Sequence, residues 1–156
     1  MYIPKIVFII LLSFIIISFF VWQKNKINAT EINWQMLEQI RFIPTLDTLI
    51  NQMVKLPAFN NALIKLEGKQ VSVTGFYIPM AMNSNKFALS KNPNKSCFFC
   101  GRSNIETIMI VYSKDKMIDL DDDEVITIEG KLQLTKSYND FIYTLKDASF
   151  ICSNKR

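Results

Sequence analysis

Three regimes of hydrophobic and polar spacing divide the chain. Residues 6–22, IVFIILLSFIIISFFVW, are seventeen positions without a charge, and only Ser13 and Ser18 are polar. As a helix this run is about 25 Å long, the short end of a bilayer span. Tyr2 and Trp22 stand where interfacial aromatics are expected. The next stretch has helical spacing. Trp34, Leu37 and Ile40, then Phe42 and Ile43, predict a helix over 30–43 with Thr30 as N-cap and Pro44 as its stop. Residues 46–55 read as a second short helix ending before Pro57, and 60–66 as a third with Gly68 at C′.

From Lys69 the period drops to two. Val71, Val73, Gly75 and Tyr77 fall on one face of a strand, and Ser72, Thr74, Phe76 and Ile78 on the other, with Pro79 closing it. Short strands follow at 86–89 and 107–112, the latter apolar enough to be buried on both faces. A long alternating strand covers 125–135. A last one covers 141–145 and 148–151, after a turn at 137–140. Gly75 and Gly130 lie inside the two long strands, where glycine marks a bulge or bend. The pattern predicts a mainly β fold, a small five-stranded OB-like Greek-key barrel with short N-terminal helices, preceded by one transmembrane helix. An open sheet with two or three helices on one face is the competing architecture. The division that follows is anchor 1–23, helical lead-in 24–67, barrel 68–152 and tail 153–156.

A cleaved signal peptide is the rival reading of the apolar run. Its core is normally about 7–15 residues, and the −3 position here would be Ile27, a poor cleavage residue. An uncleaved anchor is the better account, contacting the membrane through residues 6–22. Lys5 and the amino terminus on one side balance Lys24 and Lys26 on the other, so charge does not set the orientation.

Composition narrows the function classes. The chain has 156 residues, and without the apolar run about 130 remain, one core's worth. That excludes a multidomain enzyme, a polytopic transporter and a disordered chain. There is no histidine, which excludes His-based catalysis, haem ligation by His and His-rich zinc sites. The net charge of +4 is spread over many lysines with no basic cluster, so nucleic-acid binding is not suggested. Gly-rich phosphate loops, Gly-x-Ser-x-Gly and dinucleotide fingerprints are missing.

The sharpest local signal is Cys97-Phe98-Phe99-Cys100-Gly101. Cys97 and Cys100 fit a loop-closing disulfide in an oxidising compartment, or a redox-labile pair. They also fit a metal knuckle; a zinc site would need Cys152 and Glu106 to complete four ligands. A pair of inert thiols is a third reading. A thioredoxin-like role has less support, because GRSNIETIMIVY follows instead of a helix. Phe98 and Phe99 either plug the barrel mouth or form a docking site for a partner. The acidic run from Asp119 to Glu124 lacks the glycine and glutamate of a calcium loop and reads as a solvated turn.

The order LPAFNNALIKLEGKQVSVTGFYIPM, FALSKNPNKSCFFCG, ETIMIVY and VITIEGKLQLTKSYNDFIYTLKDA resembles a bacterial family of secreted or membrane-anchored OB-like domains of unknown function. The likeness covers roughly residues 57–148, and its most specific piece is the CFFCG loop with Glu106 following. Phe76 stands where that family usually has Tyr. The resemblance implies a barrel outside the cytoplasm and no transferable activity. The expectation is a single-pass protein of the bacterial inner membrane displaying an extracytoplasmic binding or accessory domain for an envelope protein. A thiol–disulfide oxidoreductase using Cys97 and Cys100, and a single-stranded nucleic-acid-binding barrel, are the alternatives.

Overall fold

The computed structural model describes residues 29–80, 85–93, 105–114 and 120–154. In chain order these form β1 (Thr30–Glu31), α1 (Trp34–Leu37), β2 (Arg41–Asp47), β3 (Gln52–Ala58), α2 (Asn61–Leu66), β4 (Gln70–Pro79), β5 (Lys86–Ser90), a 3-10 turn (Ile105–Thr107), β6 (Ile108–Ser113), β7 (Val125–Leu134) and β8 (Tyr143–Asn154). No helix among the described residues is long and apolar enough to cross a membrane. The anchor expected at residues 6–22 lies outside the described residues.

The alternating segments become a closed five-stranded barrel with order β4-β5-β6-β8-β7 and back to β4. All its pairs are antiparallel except β6 with β8. Closure depends on β4 serving two partners in turn. Gln70 to Phe76 pair with β7, and Phe76 to Pro79 pair with β5, so Phe76 faces both Val125 and Ser90. The strand turns inward there at Gly75. A Cβ on Gly75 would come within 2.7 Å of the Ser90 carbonyl oxygen, 2.9 Å of Leu89 Cγ and 3.0 Å of Trp34 Cζ2. Only a residue with no side chain lets the three neighbours meet.

Gly130 marks the second irregularity. β8 carries one extra residue at Asp147 relative to both neighbours, as the registers Lys131↔Lys146 then Glu129↔Ser149, and Val111↔Leu145 then Ser113↔Ala148, require. Asp147 sits at φ 50°, and the bulge swings the chain against Gly130, where a Cβ would meet the Lys146 carbonyl oxygen at 2.8 Å. Both glycines thus mark bends, as the sequence predicts.

Inside the barrel, Val71, Val73, Tyr77, Phe87, Leu89, Met109, Val111, Ile126, Ile128, Leu132 and Leu145 form one buried cluster. One end is closed by residues from before the barrel: Ile32, Leu37, Phe59 and Leu63 join the same cluster. β1 occupies the edge of β4 ahead of β5, with Thr30 against Val71. From it the chain enters α1, whose Trp34 indole donates to the Thr74 carbonyl at 2.8 Å. Asn33 caps α1 by accepting from Met36 N, and Asn60 caps α2 by accepting from Leu63 N. Gly68, at φ 73°, ends α2 as the C′ residue.

Among the described residues of the lead-in expected to be helical over 24–67, helix is confined to α1 and to α2, the latter where 60–66 was expected. The helix predicted over 30–43 shrinks to one turn, capped by Asn33 in place of Thr30, and Arg41 onward is strand. The helix predicted over 46–55 is absent. Its residues are the two arms of a ribbon in which β2 and β3 pair from Arg41↔Ala58 to Asp47↔Gln52. Turn chemistry outweighs the apolar spacing: Asp47 Oδ1 accepts from Leu49 N at 2.9 Å, and Asn51 takes φ 52°. Pro44 and Pro57 are tolerated because each arm of a two-stranded ribbon has an edge that needs no donor.

A methyl at Gly75 has nowhere to go, whereas at Gly68 it meets open space and only the positive φ opposes it. Gly75→Ala is expected to destabilise by about 2 kcal/mol or more, Gly68→Ala by about 1 kcal/mol. Chemical denaturation of the two variants checks the order, and the reverse order would refute the bend.

Candidate functional site

The outer wall of the barrel is apolar where β5, β6 and the end of β4 meet. Ile78, Ala88, Ile108 and Ile110 form a second buried cluster there, with Tyr112 and Phe141 packed against it. Strand β6 is thus buried on both faces, as TIMIVY predicts, and β5 beside it is buried on both faces as well. Beside this cluster lies a groove of about 140 Å³, lined by Lys86, Ile110, Tyr112, Thr135, Asp140, Phe141 and Thr144.

Register builds the groove. Lys86 pairs with Tyr112 across β5 and β6, and the offset set by Ile110↔Thr144 puts Lys146 of β8 level with Tyr112. Because paired residues share a face, one row across three strands reads Lys86, Tyr112, Lys146. The Lys146 ammonium lies 3.5 Å from the Tyr112 ring centroid and that of Lys86 5.5 Å. One ring face attracts a cation, and the two cations at the same ring repel each other. The next row, Ala88, Ile110 and Thr144, supplies an apolar floor and a hydroxyl. The β7–β8 connection walls the far side with Thr135, Asp140 and Phe141.

Of the residues singled out by sequence, Cys97, Phe98, Phe99, Cys100 and Gly101 lie outside the described residues. Cys152 is exposed near the end of β8, opposite Thr127. Glu106 is half-buried in the 3-10 turn before β6. Since β6 and β8 run parallel, Glu106 is level with the start of β8 and Cys152 stands at its other end. Among the described residues no group of three or more Cys, Asp or Glu could hold a metal ion. From Asp121 to Glu124 the acidic run is a tight turn, closed by Glu124 N donating to the Asp121 carbonyl at 3.0 Å and held to β4 by Asp123 N donating to the Tyr77 carbonyl; Glu124 itself is buried, not solvated.

The groove residues escape a one-dimensional reading. Lys86, Tyr112 and Lys146 stand far apart in sequence, one in each of three strands. The β5–β6 and β6–β8 pairings together bring them side by side. The available signal was the outward phase of each strand, which places all three on one face.

The Glu106 carboxylate bears electrostatically on Tyr143. That side chain is fully buried, its hydroxyl donates to the Leu37 carbonyl at 2.6 Å, and its ring is tilted against Phe59. Burial, and then the nearby Glu106 carboxylate, raise its pKa well above the ordinary 10.0. Tyr77 is raised by burial and then by Asp122.

No family model and no curated protein matches the chain. Among solved structures, a DUF3299 family protein from Pseudomonas aeruginosa PAO1 is similar at 13% identity, over 82% of this chain and 97% of that one, with a TM-score of 0.48.

Because both tyrosines hold their protons more tightly when folded, stability is fully present below the unfolded-state value of 10.0 and falls as pH rises above it. Tyr143→Phe is expected to lower stability at neutral pH by about 1–2 kcal/mol, through the orphaned Leu37 carbonyl, and to flatten the alkaline loss. Urea midpoints at neutral and alkaline pH check both effects; an alkaline slope equal to wild type would refute the tyrosine assignment.

Proposed function

We propose that the protein is a membrane-tethered binding module. The barrel is of OB type and its outer groove holds an extended segment of a partner protein. The observation that carries this reading is the row Lys86, Tyr112, Lys146 beside the Asp140 wall. A strand order of 1-2-3-5-4-1, with the third and fifth strands parallel, is the OB arrangement, and the groove lies on the second and third strands beside the connection between the fourth and fifth. That is the face and loop with which OB barrels bind their ligands.

Size and chemistry select the ligand class. About 140 Å³ is too small for a drug-sized molecule, whose pockets run to about 300–1,000 Å³, but it suits one side chain or one peptide unit of a longer ligand. A peptide offers a carbonyl oxygen for the Lys146 ammonium, an aliphatic side chain for Ile110 and Phe141, and N–H groups for Asp140, Thr135 and Thr144. Single-stranded nucleic acid fits less well. It needs aromatic faces open for stacking, whereas the Tyr112 face carries the Lys146 ammonium, and Asp140 would repel a phosphate. Residues 6–22 would keep the barrel at the membrane of the bacterial envelope, on its outer side. The Cys97–Cys100 loop, as a disulfide or a metal knuckle, would be structural.

A photo-crosslinking residue at Thr144, in the full chain expressed in its membrane, is expected to give a discrete protein adduct. Lys146→Glu with Asp140→Lys, a reversal of both charges, should reduce that adduct about fivefold or more, the equivalent of about 1 kcal/mol of binding. No adduct, or a nucleic-acid adduct, would overturn the proposal.

A further inference from the structure

The aliphatic side chains left exposed by the fold include a set gathered at the end of the β2–β3 ribbon. Leu46, Leu49, Ile50 and Met53 are 52%, 94%, 47% and 64% exposed. Leu46 and Met53 pair across the strands and share a face, and Leu49 and Ile50 belong to the turn joining them. From Leu46 to Val54 the one charged side chain is Asp47. Its carboxylate accepts from Leu49 N at 2.9 Å and from the Tyr138 hydroxyl at 3.2 Å, which turns it back toward the barrel.

Two observations choose the occupant. First, segment 46–54 contains no Trp, Tyr or Arg, the residues that dominate protein-docking hot spots. Lys55 follows two positions behind Met53 on the same face, about 7 Å along the strand, the arrangement of a side chain that snorkels to headgroups above buried aliphatics. Second, the apolar run ends at Trp22, and seven residues lead from it to Ala29, a span of at most about 25 Å. Each arm of the ribbon has seven residues, about 23 Å, so a barrel on that tether carries the tip within reach of the bilayer.

We propose that the ribbon tip enters the interfacial layer of a phospholipid bilayer, with Leu46, Leu49, Ile50 and Met53 among the acyl chains and Lys55 at the phosphates. This second membrane contact rests on the reading of residues 6–22 as a retained anchor.

The test uses the full chain with Leu49→Trp, reconstituted in phosphatidylcholine–phosphatidylglycerol vesicles whose acyl chains are brominated or not. The wild type supplies the background of Trp22 and Trp34. Leu49 is almost wholly exposed, so the fold tolerates the change, and circular dichroism verifies it. The expected result is a blue-shifted extra emission that bromolipid quenches at least twofold, and that loses most of its quenching when Leu46→Asp and Met53→Asp are added. Extra emission that is water-like and unquenched overturns the proposal. So does emission that is blue-shifted but untouched by bromolipid, which means a protein covers the tip. An alkaline carbonate wash separates the two readings. Protein retained with an unquenched tip defeats the ribbon contact alone, and protein released with an unquenched tip defeats the anchor as well.

Discussion

A single strand must bend far enough to close the barrel, and the rest of the molecule is arranged around that bend. β4 leaves β7 and takes up β5 at Phe76, and the turn packs the Ser90 carbonyl, the Leu89 side chain and the Trp34 indole against Gly75. A closed barrel removes its own strand edges, but it leaves two open ends through which water could reach the core. α1 answers this at one end. Its Trp34 is fixed to the backbone of β4 beside the bend, and its Leu37 carbonyl accepts from Tyr143 at the start of β8. The first and last strands of the barrel are thereby tied through one helical turn of four residues, too short to be stable by itself.

Closure also determines the chemistry of the outer wall. In a flat sheet each strand would present an independent row of outward residues. Here the parallel β6–β8 pair, flanked by β5, sets three such rows in register, and two of the three residues level with one another are lysines around a tyrosine. The bulge at Asp147 comes one residue after Lys146, so β8 changes register only after that side chain has been placed over Tyr112. Bulges commonly mark the point where pairing must yield to a side chain's position. The mixed character of the groove follows: cations on one side, the Asp140 carboxylate on the other, and an apolar floor between.

This explains what could be read from the chain before folding. The barrel strands were legible because each buries one face against a common core, which imprints a period of two on Val71 to Tyr77 and on Ile126 to Leu132. Gly75 and Gly130 were legible as bends because no other residue fits such close approaches. The lead-in was not. Trp34, Leu37 and Ile40 do lie at helical spacing, but the last of them is beyond the turn, and residues 46–55 are apolar at positions that face solvent, where spacing carries no information about a core. Periodicity reports burial, and a ribbon that buries little has none to report. The groove was illegible for a different reason, since its lysines and tyrosine are linked by strand order alone. Cys97 and Cys100, to which the sequence points for thiol chemistry, lie outside the described residues, and the Glu106 carboxylate adds to burial in raising the Tyr143 pKa.

The ribbon and the groove share one support. The 135–142 connection contributes Thr135, Asp140 and Phe141 to the groove, and from its middle Tyr138 donates to Asp47 at the foot of the ribbon turn. A two-stranded ribbon is marginal in water by itself. This one is held at its base by Asn60, whose side-chain amide donates to the Gln39 carbonyl, and by Pro57, buried beside Phe42. Near its tip, Tyr138 of the same connection reaches it with one hydrogen bond between exposed side chains. The proposed tip contact and the proposed groove would therefore share that short loop, which carries Asp140 and Phe141 on one side and the Asp47 partner on the other.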